Sequence, residues 1–181
     1  MRPLYIFDLD GTLALIEHRR HFVEPPACPY CGWNKACDHW RDGTRPAFKP
    51  NWAAFFRACV DDLPNAPVIQ TLQSLRKAGA EVWVWSGRSD EVRAETERWL
   101  FDHGVFRKTS LLNWMLRQPE MFRMRPAGDF APDEVLKGGW LSEMEPPERN
   151  RLVAVFDDRD KVVNMWRSFG VACFQVAPGE F

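Results

Sequence analysis

The chain reads as an α/β fold: a Rossmann-like parallel sheet with helices on both faces and a small insertion after the first strand. Three observations predict it. Short apolar runs at residues 3–7, 81–85 and 151–156 each end at a polar residue, namely Asp8, Ser86 and Asp157. Helical patterns lie between these runs, and strands alternating with helices imply a parallel sheet covered on both sides. Catalytic groups of such sheets gather at the carboxyl ends of the strands, where these three residues fall.

Each element has its own signal. Pro3 to Phe7 is too short for a helix and has the residue types of a buried strand. Val68, Ile69, Leu72 and Leu75 follow helical spacing, and Gly79 supplies a stop. Glu81 to Trp85 forms the next strand. Asp90 is placed to cap a helix carrying Val92, Trp99 and Leu100 that stops at Gly104. Met121 to Met124 adds a short strand, and Pro132 and Asp133 open a helix toward Leu141. Residues 151–156 form a strand, Asp160 to Phe169 a helix ended by Gly170, and residues 171–176 a last strand. Two stretches break the rhythm. Residues 20–50 lack a period and lead into a helix over 51–61, so a cap segment is expected at about 20–62 within a single domain spanning 1–181. Residues 106–120 hold a second insertion around Leu-Leu-Asn-Trp-Met-Leu.

Composition excludes several classes. Of 181 residues, 45% are hydrophobic, enough for a buried core. The net charge of −1 gives no global attraction to polyanions, so any nucleic acid would be held by a local patch. Charges interrupt every apolar run, and the N-terminal run is too short for a signal peptide. A cytoplasmic protein is expected, whose five cysteines are thiols or metal ligands rather than disulfides.

The chemistry gathers at the strand ends. In Asp8-Leu9-Asp10-Gly11-Thr12-Leu13, two carboxylates spaced two apart can face one pocket. One can attack phosphorus while the other moves the leaving-group proton. An Asp-rich turn after a strand is common, so this string alone does not decide. Ser86-Gly87-Arg88 adds a hydroxyl, a glycine turn and an arginine fork suited to a tetrahedral oxyanion, and Thr12 adds a second hydroxyl. Asp157 and Asp158 offer oxygen ligands to a hard dication such as Mg2+, beside Asp8 and the Asp10 carbonyl. Lys137, one turn into its helix, supplies a point charge.

With these residues in this order, the chain resembles the haloacid dehalogenase superfamily of phosphatases. Within it, the chain is similar to the 3′-phosphatase domain of bacteriophage polynucleotide kinase/phosphatase. The strings are Phe7-Asp8-Leu9-Asp10-Gly11-Thr12-Leu13-Ala14, Ser86-Gly87-Arg88, Gly128-Asp129, Asp133-Glu134-Val135-Leu136-Lys137, Asp157-Asp158-Arg159, Val162 to Arg167, and the tail Val171 to Phe181. Residues 20–50 and 106–120 lie outside the resemblance. It implies that Asp8 is the nucleophile and Asp10 the acid/base, that Arg88 and Lys137 hold the phosphoryl group, and that Asp158 or its neighbour Asp157 binds Mg2+. It assigns importance to Arg19 and Asp133, and Arg125 falls where the phage enzymes carry an arginine. The implied function is removal of 3′-phosphates from polynucleotide ends in nucleic-acid repair. Those enzymes carry a kinase that GxxxxGK(S/T) would reveal. The motif is absent here, so kinase activity is not expected unless a separate kinase or ligase partner supplies the companion step.

The insertion has a different signal. Cys28-Pro29-Tyr30-Cys31-Gly32 has the form of a zinc knuckle, and Cys37 and His39 would complete a Cys3His set for a structural Zn2+. Reduced cysteines in a loop are the alternative reading. Trp83, Trp85, Trp99 and Trp166 read as core, whereas Trp33, Trp40 and Trp52 either pack the insertion or stack on a nucleobase, with packing favoured. His18, His21 and His103 show no partner in sequence. Two rival functions stand beside the 3′-end phosphatase: a mononucleotide phosphatase using the same site, and a zinc-stabilised nucleic-acid-binding module with a vestigial site.

Overall fold

The structure, a computed structural model, describes residues 1–32, 37, 47–106 and 121–179. His39, Trp33, Trp40, Glu180, Phe181 and all but the first residue of the second insertion lie outside the described residues. The chain divides into two compact units, one of Met1–Leu15 with Leu63–Phe181 and one of Ile16–Asp62.

The larger unit is built on five parallel strands, β1 (Leu4–Phe7), β4 (Glu81–Ser89), β5 (Phe122–Arg125), β6 (Leu152–Asp157) and β7 (Cys173–Gln175), in the order β5-β4-β1-β6-β7. Parallel pairing puts all their carboxyl ends at one edge. A two-stranded antiparallel ribbon, β2 (Ala14–Leu15) with β3 (Leu63–Pro64), marks where the chain leaves this unit and returns.

Strand alternation distributes the core. Trp83 and Trp85 point to one face of β4, where they pack with Leu136, Trp140, Leu141, Val162, Val163 and Trp166. These come from α4 (Asp133–Ser142) and α6 (Asp160–Ser168), which also pack on each other. Gly138 is in ordinary contact with Met165, its Cβ position 3.7 Å from that sulfur. Val82 and Val84 point to the opposite face and are also buried. There α2 (Ala66–Lys77) packs against β4, and its buried residues Ile69 and Leu72 follow the predicted spacing. Among the described residues no helix is long and apolar enough to cross a membrane.

Several boundaries differ from the sequence expectation. The helix expected from Asp90 is α3 (Arg93–Asp102), preceded by a 3-10 turn at Asp90–Val92. Ser89 caps that turn by accepting from the Glu91 amide, because Asp90 is engaged elsewhere, its carboxylate accepting from the Ala127 amide at 2.8 Å. The helix α5 (Pro146–Arg151) was not expected, since Pro-Pro-Glu-Arg-Asn-Arg has no apolar period and buries no residue. The last strand spans only three residues of the six predicted. β4 runs through Ser86 to Ser89 rather than ending at Trp85.

The smaller unit holds a 3-10 segment Glu17–Phe22, the helix α1 (Trp52–Arg57) and a 3-10 turn Ala58–Asp61. The single helix expected over 51–61 is thus two pieces. Asn51 caps the first by accepting from the Ala54 amide. Arg19 is fully buried here, its Nε and Nη2 donating to the two carboxylate oxygens of Asp62 at 2.6 and 2.8 Å. Its guanidinium lies 4.1 Å from the Phe55 ring centre. Paired, planar and stacked, this buried charge has the geometry that a fork-shaped cation requires. Trp52 is half-exposed and touches the rings of Phe55 and Phe56.

Candidate active site

The β1 strand delivers Asp8 to the centre of the carboxyl edge. Its amide donates to the Phe156 carbonyl at 2.9 Å, extending the ladder with β6 by one residue. The chain then turns sharply. Gly11 adopts φ +84°, and a Cβ there would overlap the Asp158 carboxylate, so only glycine fits. Asn65 fastens the loop by donating from Nδ2 to the Thr12 carbonyl at 2.9 Å.

Asp8, Asp157 and Asp158 converge. Their carboxylate oxygens lie within 4.8 Å of one another and all three residues are buried. Lys137 comes from the second turn of α4, a helix anchored by Leu136, Trp140 and Leu141. Its Nζ donates to Asp8 Oδ1 at 2.6 Å and to Asp157 Oδ2 at 2.7 Å. With all three ionised, the carboxylates outnumber the ammonium bonded to them by two charges in a buried place. Burial, with Asp157 and Asp158 nearby, pushes the Asp8 carboxyl well above the usual carboxylate range against the pull of Lys137. Burial and Asp157 push Asp158 up to about 7. Burial works against the Lys137 charge, but Asp157 and Asp8 outweigh it and hold the ammonium firmly protonated. A buried, oxygen-only donor set with excess negative charge is what a hard dication such as Mg2+ matches.

Asp10 stands apart from this cluster in its partner. Arg88 Nε donates to Asp10 Oδ1 at 3.1 Å and Nη2 donates to the same oxygen, while Nη1 donates to Thr96 Oγ1 at 3.2 Å. The two predicted carboxylates are therefore differentiated: Asp8 faces an ammonium and two other carboxylates, Asp10 an arginine fork.

The Ser86-Gly87-Arg88 segment is an irregular end of β4, with the pairing to β5 shifting register between Ser86 and Ser89. Ser86 is fully buried and its hydroxyl accepts from the Arg88 amide at 3.1 Å. Thr12 is also fully buried, its hydroxyl making a long contact of 3.4 Å to Asp158 Oδ1. Gly87 is pressed against Asp133: a Cβ would sit 2.6 Å from Asp133 Oδ1. Asp133 accepts from Arg125 on one oxygen and from Arg159 on the other. Arg125 Nε in turn donates to the Gly87 carbonyl at 2.8 Å. One carboxylate thus ties the ends of β4, β5 and β6 together.

The structure brings Asp8, Asp157, Asp158 and Lys137 together, and Asp10 with Arg88. Arg19 belongs to the smaller unit, where Asp62 holds it. Sequence reasoning did not single out Arg159 or Asn65. Arg159 directly follows the Asp157-Asp158 pair, which was a usable signal. Asn65 had none, because its partner carbonyl is 53 residues away.

A parallel sheet bearing these carboxylates at its carboxyl edge fits the phosphatases of the haloacid dehalogenase class. The chain belongs to the family of the polynucleotide kinase PNKP phosphatase domain, whose model matches residues 42–181. That match takes in Ser86 to Arg88, Asp133, Lys137, Asp157 and Asp158 and begins after Asp8 and Asp10. A chain from a structure of the Pnkp1/Rnl/Hen1 RNA repair complex is 27% identical over 99% of this chain, with a TM-score of 0.67. Another from a Pnkp1/Rnl/Hen1 complex is 26% identical over 99%, with a TM-score of 0.68. This chain spans under half of those two, 44% and 48% of their lengths. A phosphatase structure from Clostridium difficile, 15% identical with a TM-score of 0.50 over 96% of this chain and 84% of that one, shares the fold.

Proposed function

We propose that the chain removes the 3′-phosphate from polynucleotide ends through an aspartyl-phosphate on Asp8. The observation that carries this reading is the differentiated carboxylate pair. Asp8 Oδ1 is held at 2.6 Å by Lys137, which leaves the other oxygen for attack, while Asp10, two residues further along the chain, is held by Arg88.

In the first half-reaction an Asp8 oxygen forms a bond to phosphorus as the bond to the sugar oxygen breaks. Asp10 gives its proton to that leaving oxygen. Arg88 is drawn to the phosphoryl oxygens, which loosens its grip on Asp10 and lets that carboxyl carry a proton. Lys137 neutralises charge beside the reacting oxygen. In the second half, Asp10 takes a proton from water as the water attacks phosphorus, and Asp8 is released with inorganic phosphate. Mg2+, held by Asp8 and Asp158 with Asp157 and the Asp10 carbonyl beside them, would supply further neutralisation of the phosphoryl charge. Ser86 and Thr12 are buried and brace the loop walls. Gly87, only half-buried, is the part of this turn whose backbone is open to a phosphate. Asp133, with Arg125 and Arg159, sets the position of the Gly87 turn.

The similarity to chains from an RNA repair complex supports an RNA end as the substrate and a partner protein for the companion steps. The test is a panel of 3′-phosphorylated RNA and DNA oligonucleotides, free nucleoside monophosphates and an aryl phosphate, each with and without Mg2+. Phosphate release from the oligonucleotides, strongest with Mg2+ and lost in Asp8→Asn, is expected. Faster release from free nucleotides than from oligonucleotides would move the assignment to a mononucleotide phosphatase. Activity of Asp8→Asn equal to wild type would refute the nucleophile.

A further inference from the structure

We propose that Cys28, Cys31 and Cys37 bind a zinc ion that organises the smaller unit. Their three sulfurs lie within 4.8 Å of one another, although Cys37 is six residues beyond Cys31 in the chain. Two thiolates on one tetrahedral zinc, with Zn–S of about 2.3 Å, sit roughly 3.8 Å apart, so this clustering suits a shared ion. All three are free thiols rather than a disulfide and a bystander.

The backbone around the first pair is shaped for ligation. The Gly32 amide donates to the Cys28 carbonyl at 2.8 Å, and Gly32 takes φ +74°, a left-handed turn that glycine accepts readily. This winds residues 28–32 into a tight turn that carries both Cys28 and Cys31. The thiolate is the form of cysteine that ligates metal. Each ligating thiol gives its proton to solvent and no electron moves.

The smaller unit has a physical need for such an ion. Among its described residues only Ile16, Cys28, Phe55 and Cys59 are buried apolar ones. Units this small with so few apolar anchors usually need a staple. Soft sulfur ligands favour zinc over the hard dication suited to the carboxylates of the larger unit, so the two sites differ in the metal they select. The three sulfurs carry the proposal. His39, the fourth ligand expected from sequence, lies outside the described residues.

The experiment is elemental analysis of the full chain, purified without a metal-affinity step and under reductant. About one zinc per chain is expected. Iron in its place, or folded protein that holds no zinc and takes up none when it is added, overturns the proposal. Cys31→Ser and Cys37→Ser should each lower bound zinc by about tenfold or more. Full retention in both overturns it. If the variants do not fold, the wild type decides through Cys31, which is exposed. Iodoacetamide should alkylate Cys31 slowly in the zinc-loaded protein and rapidly once a chelator has removed the metal. Equal rates overturn the proposal. Metal content and thiol protection are independent of turnover, so a failure here is distinct from a failure of the Asp8 mechanism.

Discussion

Lys137 donates to two members of the buried carboxylate cluster, and its replacement by methionine tests the electrostatics of the site. The side chain keeps its approximate length and loses its charge. Two short bonds disappear, at 2.6 Å to Asp8 and 2.7 Å to Asp157. Hydrogen bonds to charged groups contribute about 1.5–3 kcal/mol each, and breaking a buried ion pair costs about 3–5 kcal/mol. Proton uptake by the abandoned carboxylates offsets part of this, so about 3 kcal/mol is expected in metal-free protein. For a chain of this size that lowers Tm by about 6–12 °C. The pH dependence has a definite sign. Burial already raises Asp8 and Asp158 above their unfolded values, Asp158 to about 7, and removing the ammonium, which pulls both down, raises Asp8 and Asp158 further. A carboxyl with a raised folded pKa binds more protons folded than unfolded, so stability falls as pH climbs from the unfolded value to the folded one. The deficit of Lys137→Met should therefore be larger at about pH 8 than at about pH 5.5. Thermal unfolding followed by circular dichroism in EDTA at both pH values is the assay. A variant melting within about 2 °C of wild type at the higher pH, or losing more at the lower pH, would refute the reasoning.

Two further outcomes follow from the same geometry. Mg2+ should raise the Tm of wild-type protein more at about pH 8 than at about pH 5.5, because protons compete with the ion for Asp8 and Asp158, and equal shifts would count against a carboxylate metal site. Gly87→Ala places a methyl 2.6 Å from Asp133 Oδ1, so Asp133 or the turn must move. A cost of about 1–3 kcal/mol in stability is expected, with a fall in kcat/KM of about tenfold or more. Wild-type values for both would show that the turn is not held where Asp133, Arg125 and Arg159 place it.

Much of the larger unit was legible because its signals are local. The apolar runs within β1, β4 and β6 are continuous, and each is followed directly by a functional residue, Asp8, Ser86 or Asp157. Glycine stops at Gly79, Gly104 and Gly170 all take positive φ. What escaped was non-local or polar. The capping choice between Ser89 and Asp90 was decided by the Ala127 amide, 37 residues away. The clamp on Gly87 draws Arg125, Asp133 and Arg159 from three elements, and charges alone do not reveal which arginine a carboxylate will choose. The ribbon of β2 and β3 pairs two-residue segments about 50 positions apart, too short to leave a period. In the smaller unit Cys28, Cys31 and Cys37 were all singled out from sequence, and their sulfurs lie within 4.8 Å of one another.

The central claim is a phosphoryl group carried covalently by Asp8. The direct measurement is to mix Mg2+-loaded enzyme with a 3′-phosphorylated oligonucleotide, quench in acid within the first turnover, and map the modified peptide by mass spectrometry. One phosphoryl group on the peptide containing Asp8, absent from Asp8→Asn and accumulating when Asp10 is replaced by asparagine, is the predicted result. Turnover with no phosphoryl group on that peptide in any of these samples, and with solvent oxygen entering phosphate by direct attack of water, would contradict it.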